Sequence, residues 1–171
     1  MDVIIRPARE DDVDDLAAVH SASLQEAYKD VVDAQFLRSR LSFPARRRGF
    51  AEELETGEPT TLILFSDDEA AGLLSYGAPR HSAETEKTCE LWRLYIRPNH
   101  QREGLGQALF KKARQAMAAE GYARVILWAL EEAPGARLFH ETLGFSDTGI
   151  TREIDVGRKA RERKYALTLG G

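Results

Sequence analysis

ELWRLYIRPNHQREGLGQALF, residues 90–110, is the stretch that decides the fold. Glu90 to Ile96 is an apolar run rich in strand formers, of the kind found in a buried strand, and Pro98 stops it. Gly104 and Gly106 then open a helix whose apolar face is Leu105, Leu109, Ala113, Ala116 and Met117. Lys111, Lys112 and Arg114 face water, and Gly121 is the C-terminal cap signal. The first N–H groups of a helix lack internal partners and carry partial positive charge, and glycine lets the backbone come close to a phosphate. The amides from Arg102 to Gly106 are therefore placed to wrap a pyrophosphate, although a tight turn that binds nothing needs the same two glycines. The dinucleotide fingerprint fails, because Leu109 stands where it needs a third glycine; a P-loop fails for want of Gly-Lys-Ser/Thr.

Outward from this segment the chain alternates strands and helices. Val3 to Arg6 reads as a strand, and the acids Glu10 to Asp15 mark a helix N-terminus. Val13, Leu16, Ala17, His20, Leu24 and Ala27 follow at helical spacing. A second helix is expected within Phe36 to Leu54. Thr60–Phe65 and Ala71–Tyr76 read as paired strands around the turn Asp67-Asp68-Glu69, and His81 to Thr88 as a loop. Val125–Leu130 is a strand, Pro134 opens a short helix that ends at Gly144, and two strands complete the chain. No repeat or linker interrupts the pattern, so one α/β domain with a mixed sheet over residues 1–171 is expected.

Composition narrows the class. Charged residues at 30% and a net charge of −4 leave no basic footprint for nucleic acid. No apolar run approaches the ~20 residues of a membrane span, and the N-terminus lacks a signal-peptide core, so a cytoplasmic location is expected. Cys89 is the single cysteine, which excludes an internal disulfide. His81, His100 and the acids show no metal-ligand spacing, so no metal is expected.

The run from Leu91 to Gly106 resembles the acetyl-CoA motif of the GNAT superfamily of N-acetyltransferases, Gln/Arg-x-x-Gly-x-Gly/Ala after a strand; Gln101, Gly104 and Gly106 fit its fixed positions. VILWAL (125–130) and PGARLFHETLGF (134–145) resemble its second block, and the two ends of the chain are similar to the family's first and last elements. The resemblance implies a mostly antiparallel central sheet of about six to seven strands, flanked by about four helices and splayed at the two central strands. It further implies that the backbone of Leu94, Tyr95 and Ile96 holds pantetheine and that Gln101, Arg102, Glu103, Gly104, Leu105 and Gly106 form the pyrophosphate loop. Acetyl would then pass from acetyl-CoA directly to a primary amine of a small molecule or protein in a ternary complex. The alternative is a non-catalytic acyl-CoA-binding or regulatory domain. Dimers are common in the superfamily, which leaves a homodimer open.

An ammonium must lose a proton before it attacks. Glu90 is the expected base, as some relatives carry a glutamate there; Glu153 is a second candidate, though a surface strand position suits it better. The family's usual tyrosine acid is here His140, which would donate best at mildly acidic pH or merely pack against the cofactor. Tyr95 and Tyr76 are alternative acids. Ala133 also departs from the family's frequent asparagine. Cys89 has no activating partner nearby. His20 reads as packing, and Arg46-Arg47-Arg48 as a solvated helix face with the CoA 3′-phosphate a minor option. Trp92 and Trp128 read as core or acceptor-pocket wall.

Overall fold

In the computed structural model, which describes residues 1–170, seven strands form one sheet in the order β1-β2-β3-β4-β5-β7-β6. The strands are β1 (Val3–Pro7), β2 (Thr60–Ser66), β3 (Glu69–Gly77), β4 (Thr88–Ile96), β5 (Arg124–Leu130), β6 (Ser146–Asp155) and β7 (Lys159–Thr168). Every neighbouring pair is antiparallel except β4 and β5. The helices are α1 (Val13–Tyr28), α2 (Ala34–Arg40), α3 (Phe43–Thr56), α4 (Leu105–Ala119) and α5 (Pro134–Thr142). No helix among the described residues is long and apolar enough to cross a membrane.

One expectation needs correction. The segment read as a single second helix is two, α2 and α3. The chain breaks at Leu41-Ser42 because Ser42 adopts extended backbone and its hydroxyl accepts from the Ala45 amide, with Pro44 in the first turn. A serine N-cap followed by an early proline is a restart signal.

Two apolar layers sandwich the sheet. On one face α4 packs Leu105, Leu109, Ala113 and Met117 against Leu74, Leu91, Val125 and Leu127. On the other, Leu16, Val19 and Phe50 of α1 and α3 cover Ile63 and Leu73. A smaller cluster joins Leu37 of α2 to Val156 and Ala160 at the far end of the sheet, with Tyr28 and Leu130 packed against it.

The central seam is short. β4 and β5 pair only at Thr88↔Arg124, Cys89↔Val125 and Glu90↔Ile126. Directly afterwards the β3–β4 register jumps from Tyr76↔Leu91 to Ser75↔Arg93, so Trp92 is an extra residue. Such a bulge bends and twists its strand. Beyond it β4 continues along β3 while β5 continues along β7, and the two diverge. The β5-facing edge of Leu91–Ile96 is left without a strand partner.

The loop entering β4 is pinned across this seam. Glu84 accepts from Lys164 of β7 (2.8 Å) and Arg124 of β5 (2.9 Å), and the Lys164 and Glu84 side chains are only 6% and 7% exposed. Removing one partner of a buried pair strands the other's charge. Glu84→Gln is expected to cost about 3–5 kcal/mol, while Glu84→Gln with Lys164→Met recovers most of the loss, both read by urea unfolding. Equal stability of wild type and Glu84→Gln would show that the pair contributes nothing.

Candidate functional site

The seam opens toward the N-terminus of α4. Gly104 caps this helix in the left-handed region (φ 76°), and Arg102 is left-handed as well (φ 68°). The amides of Arg102, Glu103, Gly104, Leu105 and Gly106 find no backbone acceptor among the described residues; the first amide to do so is that of Ala108, bonded to Gly104 O. Free amides in left-handed turns at a helix start form an anion-binding concavity. Gln101 braces the loop from within, its side-chain amide donating to Ile96 O. Ser23 of α1 donates to the same carbonyl, so of the expected pantetheine-holding groups that oxygen is already occupied.

The two glycines differ in kind. A Cβ at Gly104 would meet open space, so that position is glycine for its backbone angle. A Cβ at Gly106 would lie 2.6 Å from Cζ of Phe139. Close approach at Gly106 therefore lets the ring of α5 sit on the start of α4, a role the sequence did not show.

Glu90 lies on the α1–α3 face, opposite Gly77, and its side chain is fully buried. It accepts from the Arg80 amide (2.9 Å), Arg80 Nε (3.0 Å) and the Arg80 terminal nitrogen (2.6 Å). Arg80 in turn stacks on Trp92 at 4.4 Å, and Trp92 Nε1 donates to Ala78 O. Both carboxylate oxygens of the expected base are thus spoken for.

His140 lies on the opposite face, among Phe139, Phe145 and Tyr165 at ring separations of 5.9–6.4 Å. Its Nδ1 is buried without a partner among the described residues. Burial pushes the imidazole down to about 4, so it is neutral near pH 7. Such an imidazole differs from the expected one, which would titrate at mildly acidic pH.

The remaining candidates separate cleanly. Tyr76 donates to Glu120 at the far end of α4, away from the open seam. Glu153 is exposed on β6, opposite Arg161. Burial pushes the Cys89 thiol up to about 12, which disfavours the nucleophilic thiolate near pH 7. His20 packs against Tyr95 (5.0 Å) and Phe50 (5.5 Å), and burial, with Arg93 and Arg46 nearby, holds it well below its ordinary value.

The structure also assembles groups that sequence spacing did not reveal. Tyr28 of α1 and Tyr95 of β4 bring their hydroxyls to 3.4 Å. Burial raises both above the ordinary tyrosine value, Tyr95 strongly. Glu162 of β7, opposite Leu130, accepts through Oε1 from Arg152, which stacks on Trp128 at 4.4 Å. Its Oε2 has no hydrogen bond among the described residues. Tyr28, Tyr95 and Glu162 come from three elements far apart in sequence, and the only local hint was an aromatic at Tyr95.

Comparison with known proteins agrees with this geometry. Residues 24–145 match the family model described as the Acetyltransferase (GNAT) family. The chain is 25% identical over 134 residues to the uncharacterized N-acetyltransferase YuaI of Bacillus subtilis (strain 168), covering 77% of this chain and 74% of that protein. Its fold is similar to that of the PaiA N-acetyltransferase from Thermoplasma acidophilum, solved with coenzyme A (TM-score 0.76, 18% identity, 95% of this chain and 98% of that one). It is likewise similar to yncA from Salmonella typhimurium, solved with acetyl-CoA (TM-score 0.71, 19% identity, 100% and 96%). With well over half of its length matched and the seven-stranded, centrally opened sheet in place, the chain belongs to the GNAT family of acetyltransferases and is an acetyl-CoA-dependent acyltransferase.

Proposed function

We propose that the chain transfers acetyl from acetyl-CoA to a primary amine, of a small molecule or a protein, by direct attack in one ternary complex. The observation that carries this reading is the open β4–β5 seam leading to the unbonded amides of Arg102–Gly106. Those amides take the pyrophosphate, Gln101 sets the loop, and the edge at Leu94, Tyr95 and Ile96, apart from the occupied Ile96 O, holds the pantetheine arm. Acetyl-CoA, when bound, supplies the acyl group as an activated thioester.

The acceptor enters on the face of Tyr28, Tyr95 and Glu162. Its ammonium gives one proton to Glu162 Oε2. As the N–C bond forms and the C–S bond breaks, the second proton passes to the leaving sulfur. The Tyr28–Tyr95 pair, held protonated by burial, relays it: a hydroxyl gives its own proton to the sulfur and takes up the amine's second proton in exchange. Glu90 is assigned a positioning role: it fixes Arg80 and, through Arg80, Trp92 at the bulge. The buried Cys89 thiol supports transfer without an acyl-enzyme.

Gly104→Val places a side chain over the loop and forces a β-branched residue to a positive φ. Titration calorimetry with acetyl-CoA is expected to show at least tenfold weaker binding, about 1.4 kcal/mol. Unchanged affinity in a folded variant would remove the loop from the cofactor site.

Glu162→Gln is expected to lower kcat by roughly 10²–10⁴, with the loss shrinking at alkaline pH where free amine is plentiful. Glu90→Gln and Arg80→Gln should instead give matching, pH-independent losses, and the double variant should add little to either. A pH-dependent loss for Glu90→Gln alone would return the base role to Glu90.

The folded His140 has a pKa of about 4, below its unfolded ~6.5. As pH falls through that interval the unfolded chain takes a proton that the folded chain refuses, so stability is lost on acidification. His140→Phe is expected to lessen the fall in unfolding free energy between pH 7 and pH 4.5 by about 2–3 kcal/mol, with kcat flat relative to wild type from pH 6 to 9. Parallel acid profiles of stability would show that His140 titrates normally.

A further inference from the structure

The run Arg46-Arg47-Arg48 does not behave as one solvated face. Arg47 turns to Asp14 of α1 at 2.6 Å. Arg46 and Arg48 turn instead, with Arg40 of α2, to a cavity of about 410 Å³ between α2 and α3. Among the described residues none of these three guanidinium groups has an ion-pair partner, and the one carboxylate on the cavity wall is Glu52. Three arginines elsewhere on this side of the sheet are paired: Arg80 with Glu90, Arg93 with Glu53, Arg152 with Glu162.

Two further observations set this cavity apart from a chance gap between helices. Nε of Arg46 is buried and has no hydrogen-bond partner among the described residues. Burial, and then Arg93, press the Arg46 guanidinium below its ordinary value, a cost that an incoming anion would relieve. Gly49, inside α3, lines the cavity. Glycine is unfavourable within a helix, and a Cβ there would meet nothing within 4 Å, so packing does not require it. What Gly49 preserves is room.

One wall of the cavity, Arg46, reaches toward the proposed acceptor face, close enough to Arg93 and Tyr95 for their charges to act on it. α3 covers β4 through Phe50, on which Arg93 stacks at 4.9 Å, and through Glu53, which both terminal nitrogens of Arg93 grip. Arg46 precedes Phe50 by one helical turn and so shares that side of α3.

We propose that this cavity is an anion subsite for the acyl acceptor: it takes a compact oxyanion, carboxylate or phosphate, carried by the amine that receives the acetyl group. The inference rests on the transferase reading above. Guanidinium forks match such groups in geometry as well as charge. The acceptor is thereby a zwitterionic or anionic amine, such as an amino acid, rather than a simple alkylamine or polyamine.

The test uses the intact chain, acetyl-CoA, and ω-amino carboxylates from glycine to 6-aminohexanoate, each against the alkylamine of matching length. Thiol release gives kcat/KM for every pair in wild type, Arg46→Gln and Gly49→Leu, with circular dichroism melts confirming that the variants fold. Wild type is expected to prefer the carboxylate-bearing member at least tenfold at one length, and both variants should lose that preference. Equal use of both members at every length, or a preference that survives both variants, overturns the proposal. Binding of CoA and dephospho-CoA is measured in parallel; variants that lose discrimination between these two would give the cavity to the cofactor's 3′-phosphate and overturn it as well. Turnover with no amine at all counts against the transferase reading itself. Inorganic phosphate titrated by calorimetry then decides the cavity separately: binding in wild type that the variants abolish sustains an anion subsite, and equal or absent binding in all three removes it.

Discussion

The architecture depends on parallel pairing between β4 and β5 that lasts for only three residues. Parallel strands normally extend their ladder as far as both chains run, because each unpaired N–H or C=O gives up a hydrogen bond. Here the extra residue Trp92 turns β4 aside as soon as Glu90 has paired with Ile126. The edge groups of β4 that lose a strand partner become available to a ligand. The seam also points at α4, whose own N-terminal amides are free. One bulge therefore creates a continuous polar track, strand edge then helix start, through a sheet that is otherwise packed on both faces.

Charge pairing stabilises that opening. Three of the carboxylates around it are gripped by a cation from another segment: Glu90 by Arg80, Glu84 by Lys164 and Arg124, Glu162 by Arg152. Buried pairs of this kind cost desolvation and add less to stability than their short distances suggest. Their effect is geometric. They fix the β3–β4 loop and the edge of β7 beside the seam, and stacking of Arg80 on Trp92 and of Arg152 on Trp128 extends the restraint to both walls. The unpaired Arg40, Arg46 and Arg48 contrast with this pattern.

Legibility in the sequence followed locality. The Gln101–Gly106 loop was readable because a helix start, a positive φ and a free amide are each set by residues within one turn of one another. The division of Phe36–Leu54 into two helices was equally local, in Ser42 and Pro44, although the basic run after them masked it. Glu90 was read as the base at the start of its strand, but its partner Arg80 lies on the other side of a polar loop, and no spacing rule connects them. His140 was singled out as a departure from pattern. Its chemistry changed once Phe139, Phe145 and Tyr165 closed around it, because desolvation acts through neighbours that the fold supplies.

The sequence by itself determined the α/β alternation, the phosphate-ready turn before α4, the thiol's lack of a local activating partner and the family. Each is written in short-range signals: hydrophobic period, glycine placement and capping. Only the tertiary structure decided that Gly106 yields its space to Phe139, that Glu90 is held by Arg80, that the Tyr28 and Tyr95 hydroxyls meet, and that Gly49 lines a cavity with arginines that have no ion-pair partner among the described residues. These are contacts between segments tens of residues apart. Burial and charge partners, which set what an ionisable group can do, exist only after the chain has closed on itself.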